Sequence, residues 1–245
     1  MPQSAGVFYA QRGAGRPLVC LHGAGGTHRH WAQLFAPLSA TARLIAPDLP
    51  GHGRSAPPGR SSIAAYAADV LALLDRLGLE RVVLAGHSMG AAAALEAALA
   101  APQRVAGLAL LGASARLRVA PQLLQGFLTD HDAAITLLAQ LIFPEAAAAL
   151  RAPAVAEFHQ CDPLVLHADF AACDGWDVRQ RLGTLHLPAL LITGAADGLT
   201  PPKLAQELQT LLGAELVLLP GVGHMPMLEA PAATAAALRT WLASV

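Results

Sequence analysis

Apolar residues along this chain follow two spacings that trade places from end to end. Short, nearly unbroken apolar runs occupy residues 17–21, 43–46, 81–85, 105–111, 187–193 and 215–219, and glycine, proline or small polar residues stop them. Runs of that length, apolar without alternation, predict strands buried on both faces. Between them the apolar positions recur every three or four residues. Trp31, Leu34, Phe35 and Leu38 predict one helix. Ile63, Tyr66, Val70, Leu73, Leu74 and Leu77 predict a longer one over residues 61–77, with Ser61 or Ser62 as its cap and Gly78 as its stop. Helices are also predicted over residues 91–100, 201–212 and 231–242, the last two opening on Pro201 and Pro231, a residue type that the first helical position accepts. Strands that alternate with helices need crossover connections, so the pattern implies a mostly parallel sheet covered on both faces.

Residues 116–182 break the alternation. They hold no clear strand, only helical stretches over residues 123–143, 145–160 and 163–173. A helical block set into an α/β alternation reads as a cap over the carboxyl edge of the sheet. The chain then divides into a core, residues 1–115 and 183–245, and an inserted helical cap, residues 116–182.

Composition narrows the class. At 54% hydrophobic and 13% charged, a chain of 245 residues is expected to bury a large aliphatic core without disulfide or metal staples. A net charge of −1 offers no basic field, so no nucleic-acid partner is expected. The odd set Cys20, Cys161 and Cys173, without C-x-x-C spacing, reads as buried reduced thiols. No uncharged apolar run reaches the roughly 18 residues of a membrane span. The opening residues 1–13 show no basic stretch followed by an apolar one, so no signal peptide is expected and the cytoplasm is the expected location.

The chemistry centres on Gly86-His87-Ser88-Met89-Gly90, a G-x-S-x-G placed directly between a strand and a helix. A turn that sharp strains the serine and crowds its neighbours, and the two glycines leave room. Ser88 then stands above the sheet edge at a helix N-terminus, whose dipole favours negative charge. A serine hydroxyl needs an adjacent base. His224 fits, in the loop after the last strand, and Asp197, in the loop after the strand before it, fits the carboxylate that orients the base. All three loops lie at the carboxyl edge of a parallel sheet. For the oxyanion, Met89 N–H follows the nucleophile, and Ala24 N–H, in the small-residue loop 22–26 after the first central strand, is the second expected donor.

The stretches LVCLHGAGG, APDLPGHGRS, LAGHSMG, LLITGAADGLTPP and LPGVGHMPMLEAP together resemble the α/β-hydrolase fold superfamily over nearly the full chain outside the cap. The resemblance implies an α/β fold with a mostly parallel central sheet of about eight strands, an inserted helical cap, and Ser88, Asp197 and His224 as triad. It also implies a pocket between cap and sheet, touched by Leu199 and Met225, and no cofactor. The expected partner is a small-molecule ester or lactone, cleaved as by a carboxylesterase. Enol-lactonases remain open, because residues 170–178 resemble that neighbourhood, and so does a perhydrolase side activity. A C–C bond hydrolase with the same triad is also an alternative, although those of the meta-cleavage kind carry tryptophan where this chain has Met225; haloalkane dehalogenases carry an aspartate where it has Ser88, and menaquinone-pathway lyases an arginine near Ala92. A non-catalytic small-molecule binding protein on the same scaffold is the alternative of another class.

Other polar residues are expected to serve structure. Asp48 and His52 sit in a turn; Asp174 and Asp177 mark a hinge or surface; Glu229 prepares the last helix; His22 and His87 support the loop and the elbow. The His28-Arg29-His30 spacing lacks any companion metal motif, and residues 22–26 lack the G-K-[ST] of a phosphate loop, so neither metal nor nucleotide is expected.

Overall fold

The computed structural model describes residues 3, 4 and 6–245, so the reading of the opening segment falls partly outside the described residues. The strands are β1 (Gln3–Ser4), β2 (Val7–Arg12), β3 (Pro17–Leu21), β4 (Arg43–Pro47), β5 (Val82–His87), β6 (Val105–Leu111), β7 (Ala189–Gly194) and β8 (Glu215–Leu219). The helices are α1 (Ala32–Leu38), α2 (Ile63–Arg76), α3 (Met89–Ala100), α4 (Pro121–Thr129), α5 (His131–Ile142), α6 (Arg151–Phe158), α7 (Pro163–Asp174), α8 (Pro202–Leu212), α9 (Pro226–Glu229) and α10 (Pro231–Leu242).

The eight strands form one sheet in the order β1-β2-β4-β3-β5-β6-β7-β8. β1 and β2 are antiparallel to their neighbours, and every pairing from β4 through β8 is parallel. Alternate residues of the apolar strands feed opposite faces. Leu18, Leu44, Val83, Ala109 and Leu190 pack with Trp31, Leu34, Leu238 and Trp241 under α1 and α10. Val19, Ile45, Leu84, Leu108 and Leu191 pack with Tyr66, Val70, Leu95 and Leu208 from α2, α3 and α8. At about 1.5–3 kcal/mol for each large aliphatic side chain buried, these two layers are what hold the sheet. In α3 every residue from Met89 to Ala98 is buried, because the helix lies between sheet and α2; alanine lets it fit there.

Two features of this topology place the site. β4 lies on one side of β3 and β5 on the other, so the winding reverses at β3 and a crevice opens beyond the carboxyl ends of β3 and β5. Between β6 and β7 the chain leaves the core for α4–α7. It does so through a neck in which Val178 N–H donates to the Ala115 carbonyl at 3.0 Å and Leu117 N–H to the Trp176 carbonyl at 3.3 Å. Glu96 of α3 anchors the neck, accepting the Trp176 indole N–H at 3.0 Å and both arms of the Arg181 guanidinium at 2.8 and 2.9 Å.

The structure departs from the sequence pattern in four places. β8, expected to be buried on both faces, is an edge strand in which only Leu219 is buried. β1 and β2 were not expected. The stretch 123–143 is two helices, broken at Asp130, whose side chain caps α5 by accepting Ala133 N–H. Residues 145–160 form a 3₁₀ turn followed by the shorter α6. No helix among the described residues is long and apolar enough to cross a membrane.

Candidate active site

β5 runs straight into Ser88, which has φ 51° and ψ −116° and is the sole non-glycine with positive φ among the described residues. Such a conformation costs of order 1–3 kcal/mol and persists only where its surroundings enforce it. The enforcement is visible. Ser88 N–H donates to the Leu111 carbonyl at 3.0 Å, and Ala91 and Ala92 N–H return to the Ser88 carbonyl at 2.9 and 3.1 Å. A Cβ on Gly86 would come within 2.6 Å of Ala91 Cα, and one on Gly90 within 2.5 Å of the His22 carbonyl. The flanking glycines therefore do different jobs: Gly86 lets the elbow fold on itself, and Gly90 lets α3 meet the end of β3.

Asp197 stands in the loop after β7 and is buried, yet its carboxylate has all its partners. Leu199 N–H and Thr200 N–H each donate to Oδ1 at 2.8 Å, the Thr200 hydroxyl donates to Oδ2 at 2.8 Å, and His224 Nδ1 lies 2.9 Å from Oδ2. Burial pushes the acid upward, but the His224 ring and the donated hydrogen bonds outweigh it and hold Asp197 below the usual carboxylate range. The arrangement assigns the Nδ1 proton of His224 to the bond with Asp197 and leaves Nε2 as the acceptor.

The backbone around His224 is held from several elements. His224 N–H donates to the Ile142 carbonyl at the end of α5 at 2.9 Å, and His87 Nε2 donates to the His224 carbonyl at 2.9 Å. Glu229 corrects the sequence reading: it accepts Gly223 N–H at 2.7 Å and Met225 N–H at 2.8 Å, clamping the residues on either side of His224 instead of serving the last helix. Thr200 was also missed, although a threonine three residues after an aspartate is a recognisable local turn pattern.

Ser88 and His224 border the same cavity of about 260 Å³, which Ala24, Leu123, Leu141, Phe170 and Leu199 also line. A smaller adjoining pocket, again touching Ser88 and His224, reaches Met225 and Leu138. Among the described residues no hydrogen bond joins the Ser88 hydroxyl to the His224 ring. Of the sequence-predicted site residues, Ala24, Ser88, Leu199, His224 and Met225 thus meet around one connected space, Asp197 supports it from behind, and Met89 begins the helix beneath it.

The remaining polar residues serve the loops. His22 donates from Nδ1 to the Gly23 carbonyl at 2.8 Å and accepts Leu49 N–H at Nε2 at 2.9 Å, a neutral ring. Burial, reinforced by His52, keeps it well below the ordinary histidine range. Asp48 accepts the His28 N–H and ring at 2.7 and 2.8 Å and Arg54 N–H at 3.0 Å, which accounts for both the turn and the first histidine of the H-x-H pair. Cys20, Cys161 and Cys173 are free and buried, and burial pushes Cys161 up to about 12.

His52 yields a pH prediction. Its Nε2 lies 2.8 Å from Asp169, its ring faces His22 and Tyr66, and Nδ1 meets the Pro50 carbonyl at 3.1 Å. Burial alone would lower the ring, but the Asp169 charge and hydrogen bond outweigh it and raise His52 above its ordinary value. A raised folded value means that protonated His52 contributes stability fully below about pH 6.5 and loses it as pH rises through the folded value. The melting temperature is expected to fall on that alkaline limb, and His52→Gln to flatten it, in thermal unfolding scans from pH 5 to 9.

Comparison with known proteins places the chain. The profile of the alpha/beta hydrolase family matches residues 18–237, and the chain belongs to that family. A dihydrolipoyllysine-residue acetyltransferase component of an acetoin cleaving system from Pseudomonas putida is 39% identical over 230 residues, covering 88% of this chain but 60% of that protein, so the chain spans under two thirds of that relative. A pimeloyl-[acyl-carrier protein] methyl ester esterase from Pectobacterium carotovorum is 33% identical, covering 93% of this chain and 94% of that protein. The crystal structure of an enol-lactonase from Burkholderia xenovorans superposes with a TM-score of 0.89 at 25% identity, covering 97% of this chain and 96% of the other.

Proposed function

We propose that the protein is a serine hydrolase that cleaves carboxylic esters through an acyl-enzyme on Ser88. One observation carries the reading: the sole strained non-glycine residue among the described ones, Ser88, opens onto a cavity shared with a histidine whose other ring nitrogen is held by a buried carboxylate. Ser88 Oγ attacks the ester carbonyl carbon as its proton passes to His224 Nε2, and Asp197 stabilises the imidazolium. The oxyanion is held by Ala24 and Met89 N–H; neither donates a hydrogen bond within the protein among the described residues. The imidazolium then protonates the leaving alkoxide. Water, deprotonated by His224, attacks the acyl-enzyme, and the tetrahedral adduct collapses to free acid and Ser88.

The helical insertion, residues 116–182, is the cap on a core of residues 1–115 and 183–245: Leu123, Leu141 and Phe170 from it line the same cavity as Ser88. With Leu199, and with Met225 of the adjoining pocket, they make a mostly apolar acyl pocket that suits an aliphatic chain, although Arg118 also lines the larger cavity. The esterase relative agrees, and the enol-lactonase likeness supports a lactone as the second substrate class. Three buried free thiols suit a reducing, cytoplasmic location.

The test is a panel of p-nitrophenyl esters of graded acyl length and of lactones, run beside labelling by a fluorophosphonate. Stoichiometric labelling of Ser88 with turnover of short to medium esters is expected. Turnover confined to lactones would move the assignment to a lactonase. Labelling without any turnover would make the protein a binding module.

A further inference from the structure

The loop that carries Ala24 is gripped by the helical insertion as well as by the sheet. Within the loop, the Gly23 carbonyl accepts Gly26 N–H at 3.1 Å and His22 Nδ1 at 2.8 Å. A peptide plane points its carbonyl and its N–H in opposite directions, so fixing the Gly23 carbonyl also aims Ala24 N–H. The next amide is held from outside: Gly25 N–H donates to Asp169 Oδ2 at 2.9 Å. Asp169 belongs to α7 and is 0% exposed. Leu166, also of α7, and Phe158, at the end of α6, close over the same glycine, since a Cβ there would come within 2.5 Å of Leu166 Cδ1 and 3.0 Å of Phe158 Cδ1. At φ +64° Gly25 takes a backbone shape that L side chains rarely adopt.

A fully buried carboxylate is costly unless several donors satisfy it. Besides Gly25, Asp169 accepts His52 Nε2 on Oδ2 at 2.8 Å and the Tyr66 hydroxyl on Oδ1 at 2.6 Å. His52 comes from the turn after β4 and Tyr66 from α2, so one insertion side chain meets three core segments. Gly25 is the one that adjoins the proposed oxyanion donor. The neighbouring Phe170 lines the cavity beside Ser88. Consecutive residues of α7 therefore supply a wall of the pocket and the hook on the loop.

We propose that Asp169 is a positioning residue for the oxyanion hole: by holding Gly25 N–H it keeps Ala24 N–H aimed at the developing charge, so the hole is complete only while α7 is seated on the core. The inference rests on the serine-hydrolase reading and on Ala24 as its donor. The oxyanion exists in the transition state and not in the bound ester, so the loss should fall on kcat and spare KM.

The experiment measures kcat and KM for p-nitrophenyl butyrate, and the affinity of a trifluoromethyl ketone that forms a tetrahedral adduct, in full-length wild type and variants. Asp169→Ala is expected to lower kcat about 10²-fold, the scale of one lost oxyanion donor, with KM within about threefold and ketone affinity falling in step. Asp169→Asn can still present one oxygen to Gly25 and should recover most of the loss. Tyr66→Phe removes a bond to the other oxygen and should leave kcat within about threefold. If Asp169→Ala does not fold, Asp169→Glu keeps the charge but displaces it, and is expected to cost at least about tenfold in kcat. Wild-type kcat in Asp169→Ala or in Asp169→Glu overturns the inference. So does a Tyr66→Phe loss equal to that of Asp169→Ala, which would make the cluster merely structural. A wild type that neither turns over ester nor reacts at Ser88 would instead undo the serine-hydrolase reading itself.

Discussion

Ser88→Ala is expected to lower ester turnover by about 10⁶-fold, leaving a residual of roughly 10³-fold over water from the oxyanion hole and binding alone. The fold should hardly notice. The Ser88 hydroxyl makes no hydrogen bond among the described residues, and the Ser88 N–H bond to Leu111 and the carbonyl bonds to Ala91 and Ala92 are backbone contacts that alanine keeps. Serine and alanine meet similar steric limits at φ 51°, so unfolding free energy should change by no more than about 0.5 kcal/mol. Activity assays paired with thermal unfolding of the same preparation check both halves. Cys173 and Thr200 also line the cavity, but burial pushes the Cys173 thiol well above the ordinary value, a protonated thiol is a poor nucleophile, and the Thr200 hydroxyl donates to Asp197 Oδ2 at 2.8 Å. Turnover within tenfold of wild type in Ser88→Ala would therefore remove the proposed acyl-enzyme on Ser88.

The legible parts of this molecule are those in which a residue's partners lie close in sequence or repeat with a period. β3 through β7 stand out because strands buried on both faces are continuously apolar, β8 because its run of Leu216 to Leu219 is apolar although the strand lies at the half-exposed edge of the sheet, and α2 because one face of it is apolar. The elbow was legible because steric necessity puts glycines at fixed offsets from Ser88. β2 was not, since only Val7, Phe8 and Tyr9 are buried and Gln11 and Arg12 are exposed, a weak pattern at an antiparallel edge. The break at Asp130 was hidden by apolar spacing that continues across it, although an aspartate three residues before the N–H it caps was there to be read. Glu229 clamps a loop with no period, so nothing in its spacing from Gly223 and Met225 marks it. Asp169 is the extreme case: its partners Gly25, His52 and Tyr66 lie 144, 117 and 103 residues away. A buried polar residue satisfied only by tertiary contacts leaves no local trace.

Asp197→Asn should be the more informative of the two large losses, because the hydrogen bonds dictate how the amide must lie. Oδ1 of Asp197 accepts two backbone N–H groups, from Leu199 and Thr200, so an NH₂ cannot sit there. The asparagine oxygen takes that side and its NH₂ takes the place of Oδ2, facing His224 Nδ1. Nδ1 must then accept, the ring proton moves to Nε2, and the nitrogen that should deprotonate Ser88 no longer can. A loss of about 10⁴ in kcat with little change in KM is expected. Glu229→Gln supplies the contrast. It disturbs one backbone N–H beside His224 without touching the ring, so about tenfold in kcat is expected, the cost of misplacement and not of a wrong tautomer. The acid side of the stability profile separates them again. Asp197 is held below the usual carboxylate range, so its contribution is present above about pH 4 and is lost as pH falls through the lowered folded value. The stability gap between wild type and Asp197→Asn should therefore close toward low pH. If Asp197→Asn keeps a tenth of wild-type turnover while Glu229→Gln loses nearly all of it, the acid that serves His224 is Glu229, and the order of the proposed triad along the chain is wrong.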